Sequence, residues 1–167
     1  MTEFKYNDGG RERAGFKGSA DDCVCRSIAI ATGKPYREIY DLINKYAQRE
    51  RTGKRKRSKS TARTGVYKQT HRKVMEHLGW KWVPTMQIGS GCRVHLHPNE
   101  LPKGKLVVSV SKHLTAMIDG VIHDTYNPSR VMVNTYRGEK AKSNQWIEDS
   151  RIYSEIRCVY GYYVKSN

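Results

Sequence analysis

The sequence predicts an α+β fold in which N-terminal helices pack on a C-terminal antiparallel sheet. Helical periodicity occupies the first half of the 167-residue chain, and short runs rich in β-branched and aromatic residues occupy the second half. A chain of this length normally forms one domain with a sizeable core. We therefore expect a single domain over residues 1–167 that contains a basic loop insertion at about 49–65.

The first helix is predicted by an Ala- and Ile-rich run that follows Asp21 and Asp22 and stops at Gly33. Acidic residues before a helix can accept bonds from its free N–H groups, and glycine favours the left-handed conformation that ends one. Cys23 then lies in the first turn, where the helix dipole lowers the pKa of a thiol below about 8.5. Cys23 is the candidate nucleophile, whereas Cys25 is predicted to be a buried packing residue.

Two further helices are predicted. Pro35 is well placed as the first residue of the second helix, and a third helix is predicted over 66–78, ending at Gly79. The two histidines of the third helix, His71 and His77, are predicted to lie at the surface. The second helix has apolar residues at helical spacing, namely Ile39, Leu42, Ile43 and Tyr46.

A strongly basic segment joins the second and third helices. Residues 49–73 contain eleven Lys and Arg and one acidic residue, Glu50, in a chain of formal net charge +15. Because 51–64 has no apolar residue except Ala62, it is predicted to be a mobile loop. Two interpretations stay open, a solvated loop and a surface for the phosphates of a polyanion. The candidate polyanion-binding residues are Lys54, Arg55, Lys56, Arg57, Lys59 and Arg63.

The second half of the chain has the periodicity of a sheet. Strands are predicted at 80–83, 94–96, 106–110, 113–118, 121–126 and 157–164. Asp119-Gly120 separates two of them and is a preferred two-residue hairpin turn. Residues 128–150 are polar and weakly periodic, and no element is predicted there.

The register of this hairpin predicts a cluster of reactive side chains. A two-residue turn brings His113 opposite Tyr126 and makes Asp124 its diagonal neighbour, about 7–8 Å away at the backbone and within hydrogen-bonding reach. His123 points to the other side of the sheet because side chains alternate along a strand. With Cys23, these residues supply the thiol, the base and the orienting acid of nucleophilic catalysis.

Three segments resemble the motifs of papain-like cysteine peptidases. They are Asp22-Cys23 entering a helix, 112–116 entering a strand, and 122–124 on the following strand. The layout resembles the bacteriocin-processing type and, more narrowly, uncharacterised phage and bacterial proteins of that superfamily, through 22–24, 31–36, 78–80, 89–92 and 121–125. The resemblance covers most of 15–164 apart from the basic insertion. It implies a papain-like fold and the triad Cys23, His113 and Asp124, which uses no cofactor.

The sequence departs from the papain-like pattern before the nucleophile. That pattern has a Gln several residues upstream as an oxyanion donor, whereas this chain has Lys17, Gly18 and Ser19 there. The N–H of Cys23, with Ser19 or nearby backbone, is expected to bind the oxyanion instead. Bacteriocin-processing peptidases also accompany a transporter and a membrane domain, which these residues do not contain, so their substrate does not carry over.

The residues predict a cysteine hydrolase or acyl transferase that acts on a peptide, an isopeptide or a glutamine amide. The alternative is a basic protein that binds nucleic acid or the ribosome and uses a papain-like scaffold with a vestigial or secondary active site. No stretch approaches the roughly twenty apolar residues of a membrane span, and no signal peptide is recognisable. We therefore expect a cytoplasmic protein, in the host cytoplasm if phage-encoded.

In a reducing compartment the four cysteines are expected to be free thiols or ligands rather than disulfides. A zinc site is the rival interpretation, with Cys23, Cys25, Cys92, His95 and His97 as ligands. Structural zinc sites usually space paired cysteines two to four residues apart, so no metal is predicted.

Overall fold

The computed structural model describes residues 2–129 and 157–167, together with the backbone of two short strands between them. The helices are α1 (Cys23–Thr32), α2 (Tyr36–Gln48) and α3 (Lys68–His77). The strands are β1 (Phe4–Tyr6), β2 (Trp80–Pro84), β3 (Lys105–Val110), β4 (His113–Ile118), β5 (Val121–Asp124), β6 (Met132–Val133), β7 (Ser154–Glu155) and β8 (Val159–Lys165). Most of 128–150, for which no element was predicted, lies outside the described residues. Within the described part of the chain, no helix is long and apolar enough to cross a membrane.

Six strands form one mixed sheet in the order β1-β5-β4-β3-β8-β2, and β6 pairs with β7 separately. The prediction of an α+β fold is confirmed, but the prediction of a purely antiparallel sheet that follows the helices is wrong. Strand β1 precedes α1 and runs parallel to β5, with Phe4 opposite Ile122 and Tyr6 opposite Asp124. Three residues are too few to show the alternation of apolar and polar side chains that predicts a strand. Strand β1 is held in the sheet by its backbone pairing with β5.

Both faces of the sheet are covered. The helices bury one face against residues such as Val107 and Ala116, and the other face packs around Leu106, Val108 and Met117. Strand β3 is therefore buried on both sides, which explains its nearly continuous apolar sequence. The helices lie on one face of the sheet, and the chain segment around Leu96 and Leu101 covers the other.

The helix boundaries agree with the sequence to within two residues. Gly33 ends α1 in the left-handed conformation at φ 71°, and its N–H bonds to the carbonyl of Ala29. The predicted capping of α1 by an acidic side chain is wrong for Asp22, which makes no side-chain cap bond and lies buried in the interior.

His71 is buried, although it was predicted to lie at the surface. Its Nδ1 lies 2.8 Å from the hydroxyl oxygen of Tyr163, and the two rings pack edge to face. Burial, with the charges of Arg72 and Lys68, lowers the pKa of His71 to about 4. His77 is exposed, as predicted. His71 stands three and four residues before the apolar Val74 and Met75, so helical spacing places it on the buried face of α3, a signal that the prediction did not use.

Cys92 and Cys158 form a disulfide, so the prediction of four free thiols is wrong. The segment predicted as a strand over 94–96 forms only an isolated bridge between His95 and Cys158. Two backbone hydrogen bonds of 2.8 Å, from Val159 to Val94 and from Leu96 to Arg157, run beside that bridge. They bring the two cysteines together across 66 residues of sequence, a separation that leaves no local signal.

The basic segment has no helix or strand between α2 and α3, as predicted, but its second half is anchored. The N–H of Ala62 donates to Asn44 at 2.9 Å, and Ala62 is fully buried. The carboxylate of Glu50 accepts hydrogen bonds from Lys56, Ser60 and Thr70. These bonds outweigh burial and lower the pKa of Glu50 to about 2. Glu50, the single acidic residue of the segment, therefore holds Lys56 and Ser60 of the segment in place beside Thr70 of α3.

Candidate active site

The hairpin of β4 and β5 has the predicted register. Asp119 and Gly120 both have positive φ, 50° and 87°, as a type I′ turn requires. Ile118 pairs with Val121, and the ladder continues to Ala116 and His123. His113 and Tyr126 then meet at the end of the hairpin, with ring centroids 5.0 Å apart.

His113 and Asp124 are in direct contact, as the diagonal relation predicts. Nε2 of His113 donates a hydrogen bond to Oδ2 of Asp124 at 2.7 Å, and both side chains are buried. The other carboxylate oxygen accepts the N–H of Thr125 at 2.7 Å. Burial opposes ionisation of Asp124, but the hydrogen bond to His113 and the charge of its imidazolium outweigh burial and lower the pKa of Asp124.

Cys23 is the first residue of α1, and it lines the same cleft as His113, close enough for each side chain to shift the pKa of the other. Because Nε2 is engaged with Asp124, Nδ1 is the ring nitrogen available to the sulfur. Burial raises the pKa of the Cys23 thiol, but the bond to His113, a bond from the N–H of Leu114 and nearby positive charge outweigh burial and lower that pKa. Burial likewise opposes the imidazolium, yet the bonds to Asp124 and Cys23 raise the pKa of His113 to about 9. These shifts favour a thiolate–imidazolium pair over a neutral thiol beside a neutral imidazole.

Cys25 has the opposite environment. It is fully buried, and its sulfur lies 3.7 Å from the carbonyl oxygen of Tyr36. Burial and the nearby carboxylate of Asp22 raise the pKa of the Cys25 thiol, so it stays protonated. The sequence-based prediction that Cys25 packs in the core is confirmed.

A buried ionic network supports the cluster, and the sequence did not reveal it. Arg26 forms an ion pair with Asp22 one turn earlier in α1, and its second nitrogen lies 3.5 Å from Oδ1 of Asp124. Asp22 also accepts a hydrogen bond from the Tyr36 hydroxyl at 2.6 Å and pairs with Arg11 at 3.2 Å. The i, i+4 spacing of Asp22 and Arg26 was the available signal, although spacing does not indicate burial.

A cleft of about 810 Å³ opens above the nucleophile. Cys23 and His113 line it, together with Val66 and Tyr160 from the two neighbouring walls. The C-terminal part of the basic segment thus contributes to the wall of the cleft, a placement that composition alone did not predict.

Ser19, the predicted oxyanion donor, is exposed. Its carbonyl accepts a hydrogen bond from Arg63 at 3.3 Å, and the residues that line the cleft on this side are Ala20 and Asp21. The role of Ser19 stays a prediction.

The six candidate polyanion-binding residues divide into two groups of three. Lys54, Arg55 and Arg57 are exposed. The other three bond within the chain: Lys56 pairs with Glu50 at 2.8 Å, Lys59 donates to the carbonyl of Gln48 at 2.7 Å, and Arg63 donates to the carbonyls of Lys17 and Ser19 at 3.0 and 3.3 Å.

The ligand set of the rival zinc interpretation is not assembled. Cys92 is joined to Cys158, and Cys25 is enclosed in the core. Over 2–129 and 157–167, no three His, Cys, Asp or Glu side chains are grouped as metal ligands.

No protein-family model, curated protein or solved structure matches this chain. The chemistry of the site is therefore argued from its own residues.

Proposed function

We propose that this chain is a papain-like cysteine hydrolase or acyl transferase that acts on a peptide, an isopeptide or a glutamine amide. The observation that carries the proposal is the chain of contacts from Cys23 at the start of α1, through His113, to Asp124 at 2.7 Å. A thiolate, an imidazolium and an orienting carboxylate at the floor of an open cleft are the groups that thiol acyl transfer requires.

The order of elements supports the papain-like part of the proposal. The nucleophile begins a helix that packs on the sheet, the base begins strand β4, and the acid ends the adjacent strand β5. This is the order of the motifs that the sequence shares with papain-like peptidases.

In the first half-reaction, the sulfur of Cys23 attacks the carbonyl carbon and an S–C bond forms. The carbonyl electrons move to oxygen, where the N–H groups at the start of α1 can stabilise the negative charge. As the intermediate collapses, the imidazolium of His113 gives its proton to the leaving nitrogen and the C–N bond breaks. The products of this step are a free amine and a thioester on Cys23.

In the second half-reaction, water or an acceptor amine attacks the thioester. Neutral His113 takes a proton from the attacking group, the C–S bond breaks, and the sulfur leaves as a thiolate beside the new imidazolium. Asp124 holds the imidazole ring in one orientation throughout, through its bond to Nε2.

A mixture of peptidyl vinyl sulfones tests the proposal, because addition of a thiolate to the vinyl group mimics acylation and leaves a stable adduct. Mass spectrometry should locate the adduct on Cys23, with labelling retained in Cys25→Ala and lost in His113→Ala. Unchanged labelling in His113→Ala, or no labelling of the wild-type chain, would contradict the proposal.

Polyanion binding is the second candidate function, and the exposure of Lys54, Arg55 and Arg57 favours it. Eleven basic residues and one acidic residue give 49–73 a formal charge of +10. Phosphate contacts release counterions, so affinity for nucleic acid or ribosomal RNA should fall steeply as the salt concentration rises. Each contact should add about −0.9 to the slope of log K against log salt concentration.

The test compares two triple variants. Replacing Lys54, Arg55 and Arg57 with Gln should reduce the salt slope by about 3 at most, whereas replacing exposed Lys5, Lys103 and Lys105 with Gln should leave it unchanged. Equal effects of the two variants would indicate attraction by net charge alone and would remove the basic segment as a binding site.

A further inference from the structure

Resting on the proposed function, we infer that the cleft selects a peptide substrate with an acidic side chain close to the scissile bond, bound by Lys68 and Lys112. Both lysines line the cleft, and Lys112 immediately precedes His113 in the chain.

Lys112 lies next to the proposed catalytic base. It is the second residue of the two-residue turn between β3 and β4, in which Val110 pairs with His113. Its side chain is exposed and lines the cleft. Among the described residues, it has neither a hydrogen bond nor an ion pair from its ammonium group.

The backbone of Lys112 favours a different residue type. Its φ is 57°, and the only other described non-glycine residue with positive φ is Asp119, a type that tolerates this region. Gly or Asn would suit position 112 better, because a long L side chain is strained there. A lysine at an unfavourable backbone position beside the site is consistent with a role for its ammonium group.

Lys68 is the second lysine of the cleft, and Arg157 positions the first. Lys68 begins α3 on the opposite wall, and its Nζ lies 5.6 Å from the ring centroid of Tyr160, which also lines the cleft. The guanidinium of Arg157 donates to the carbonyl of Ser111 and so holds the turn that carries Lys112.

The remaining charges leave the cleft positive. Arg11 and Arg26 balance the carboxylates of Asp22 and Asp124, and the thiolate and imidazolium of the proposed pair neutralise each other. Asp21 is the one acidic residue among the described lining, and it belongs to the approach to α1. The two free lysines lie on the walls formed by α3 and by the β3–β4 turn.

The other groups in the cleft favour a peptide over a nucleic acid. Val66, Val110 and Leu114 give the lining an apolar part that suits side chains of a peptide. Two lysines match a single carboxylate better than a run of phosphates, and the proposed chemistry acts on amides.

Two alkylating reagents that differ in charge measure the electrostatic field at Cys23, and this measurement needs no known substrate. Iodoacetate is anionic and iodoacetamide is neutral, so the ratio of their rate constants at Cys23 reports the local charge. We expect the ratio to fall by about two- to sixfold in Lys68→Gln and in Lys112→Gly, because each variant removes one positive charge from the lining of the cleft. Lys105→Gln, at the far end of β3, should leave the ratio unchanged.

These variants distinguish a change in the electrostatic field at Cys23 from a loss of folding stability. Because glycine relieves the backbone strain at position 112, Lys112→Gly should melt no lower than the wild-type chain while its ratio falls. If Cys23 reacts with both reagents and the ratio is unchanged in both lysine variants, the inference is wrong and the proposed function stands. If neither reagent modifies Cys23, both are wrong.

Protection tests the substrate class. Hexaglutamate should slow the modification of Cys23 by iodoacetamide more than hexalysine does, and Lys112→Gly should reduce that protection. Protection by a single-stranded oligonucleotide but not by hexaglutamate would overturn the assignment to a peptide.

Discussion

At the scale of single residues, two cysteines in one helix turn have opposite chemistry because they lie about 200° apart around it. Cys23 faces the cleft and His113, and Cys25 faces the core and Tyr36. Both stand in the first turn of α1, so the sequence distinguished them through the segment Asp22-Cys23, which resembles a papain-like motif. The sequence could not reveal that Asp22 and its partners are buried, because burial depends on how α1 packs in the fold.

Because side chains alternate along β5, Asp124 and His123 point to opposite faces of the sheet, and their substitutions should have different effects. Asp124→Asn should slow the reaction of Cys23 with a peptidyl vinyl sulfone by about a hundredfold or more, because the imidazolium loses the charge that stabilises it. His123→Ala should change the rate by less than about threefold, since His123 contacts Asn7 rather than the site. Thermal melts of both variants check the fold, and a larger effect of His123→Ala would refute the assigned register.

At the scale of elements, Arg26 joins α1 to the acidic end of β5. In Arg26→Met, the buried carboxylates of Asp22 and Asp124 lose their shared cation, so the free energy of unfolding should fall by about 3–5 kcal/mol. The pKa of the Cys23 thiol should also rise, because the charge of Arg26 contributes to lowering it. Urea unfolding and thiol titration measure the two effects.

Arg13→Met is the matched control for Arg26, because Arg13 is exposed. It should change stability by less than about 0.5 kcal/mol. Equal losses in the two variants would show that the buried pairing is not what stabilises the junction of α1 with the sheet.

The disulfide gives a second prediction at this scale. Thiol titration of the denatured chain should find two free thiols, Cys23 and Cys25, and four after reduction. In the chain-entropy treatment, a closed loop of this length stabilises the fold by about 4 kcal/mol, so Cys92→Ser with Cys158→Ser should lose a comparable amount. Four free thiols without reductant would contradict the pairing.

The elements differ in how well the sequence predicted them. Helices and the hairpin follow from local patterns, such as helical periodicity and the Asp119-Gly120 turn. Strand β1 and the disulfide depend on contacts between distant segments, about which local patterns carry no information. His71 has the helical spacing of the buried Val74 and Met75, but the polarity of its side chain favoured a surface position.

At the scale of the whole molecule, His71 makes stability depend on pH. Its pKa is about 4 in the folded chain and about 6.5 when unfolded, so the unfolded chain binds the extra proton between these values. Stability should therefore be lost as pH falls from 6.5 towards 4, by on the order of 3 kcal/mol for this residue.

His71→Asn isolates that contribution, because asparagine does not titrate and still offers a hydrogen-bonding group near Tyr163. Unfolding free energies measured from pH 7 to 4 should converge or cross for the two proteins. A constant difference across that range would show that His71 is not buried in its neutral form.

The fold class followed from the division of the chain into a helical half and a strand half, which is a property of the whole sequence. The structure of the basic segment could not be predicted from its composition in the same way. Composition marked 51–64 as a mobile loop, yet Glu50 anchors it and the two residues that follow it, Gly65 and Val66, line the cleft. The buried carboxylate of Glu50 changes the interpretation of the segment. Its burial depends on tertiary packing, which composition does not show.

If Cys23 and His113 form a reactive ion pair, the pH dependence of Cys23 alkylation will show it. With iodoacetamide and mass-spectrometric mapping, the rate at Cys23 should rise with a midpoint below the ordinary thiol pKa of about 8.5, because His113 lowers the pKa of the thiol. In His113→Ala the midpoint should move up, because the group that stabilises the thiolate is gone. A wild-type midpoint at or above 8.5, or the same midpoint in both proteins, would contradict the account.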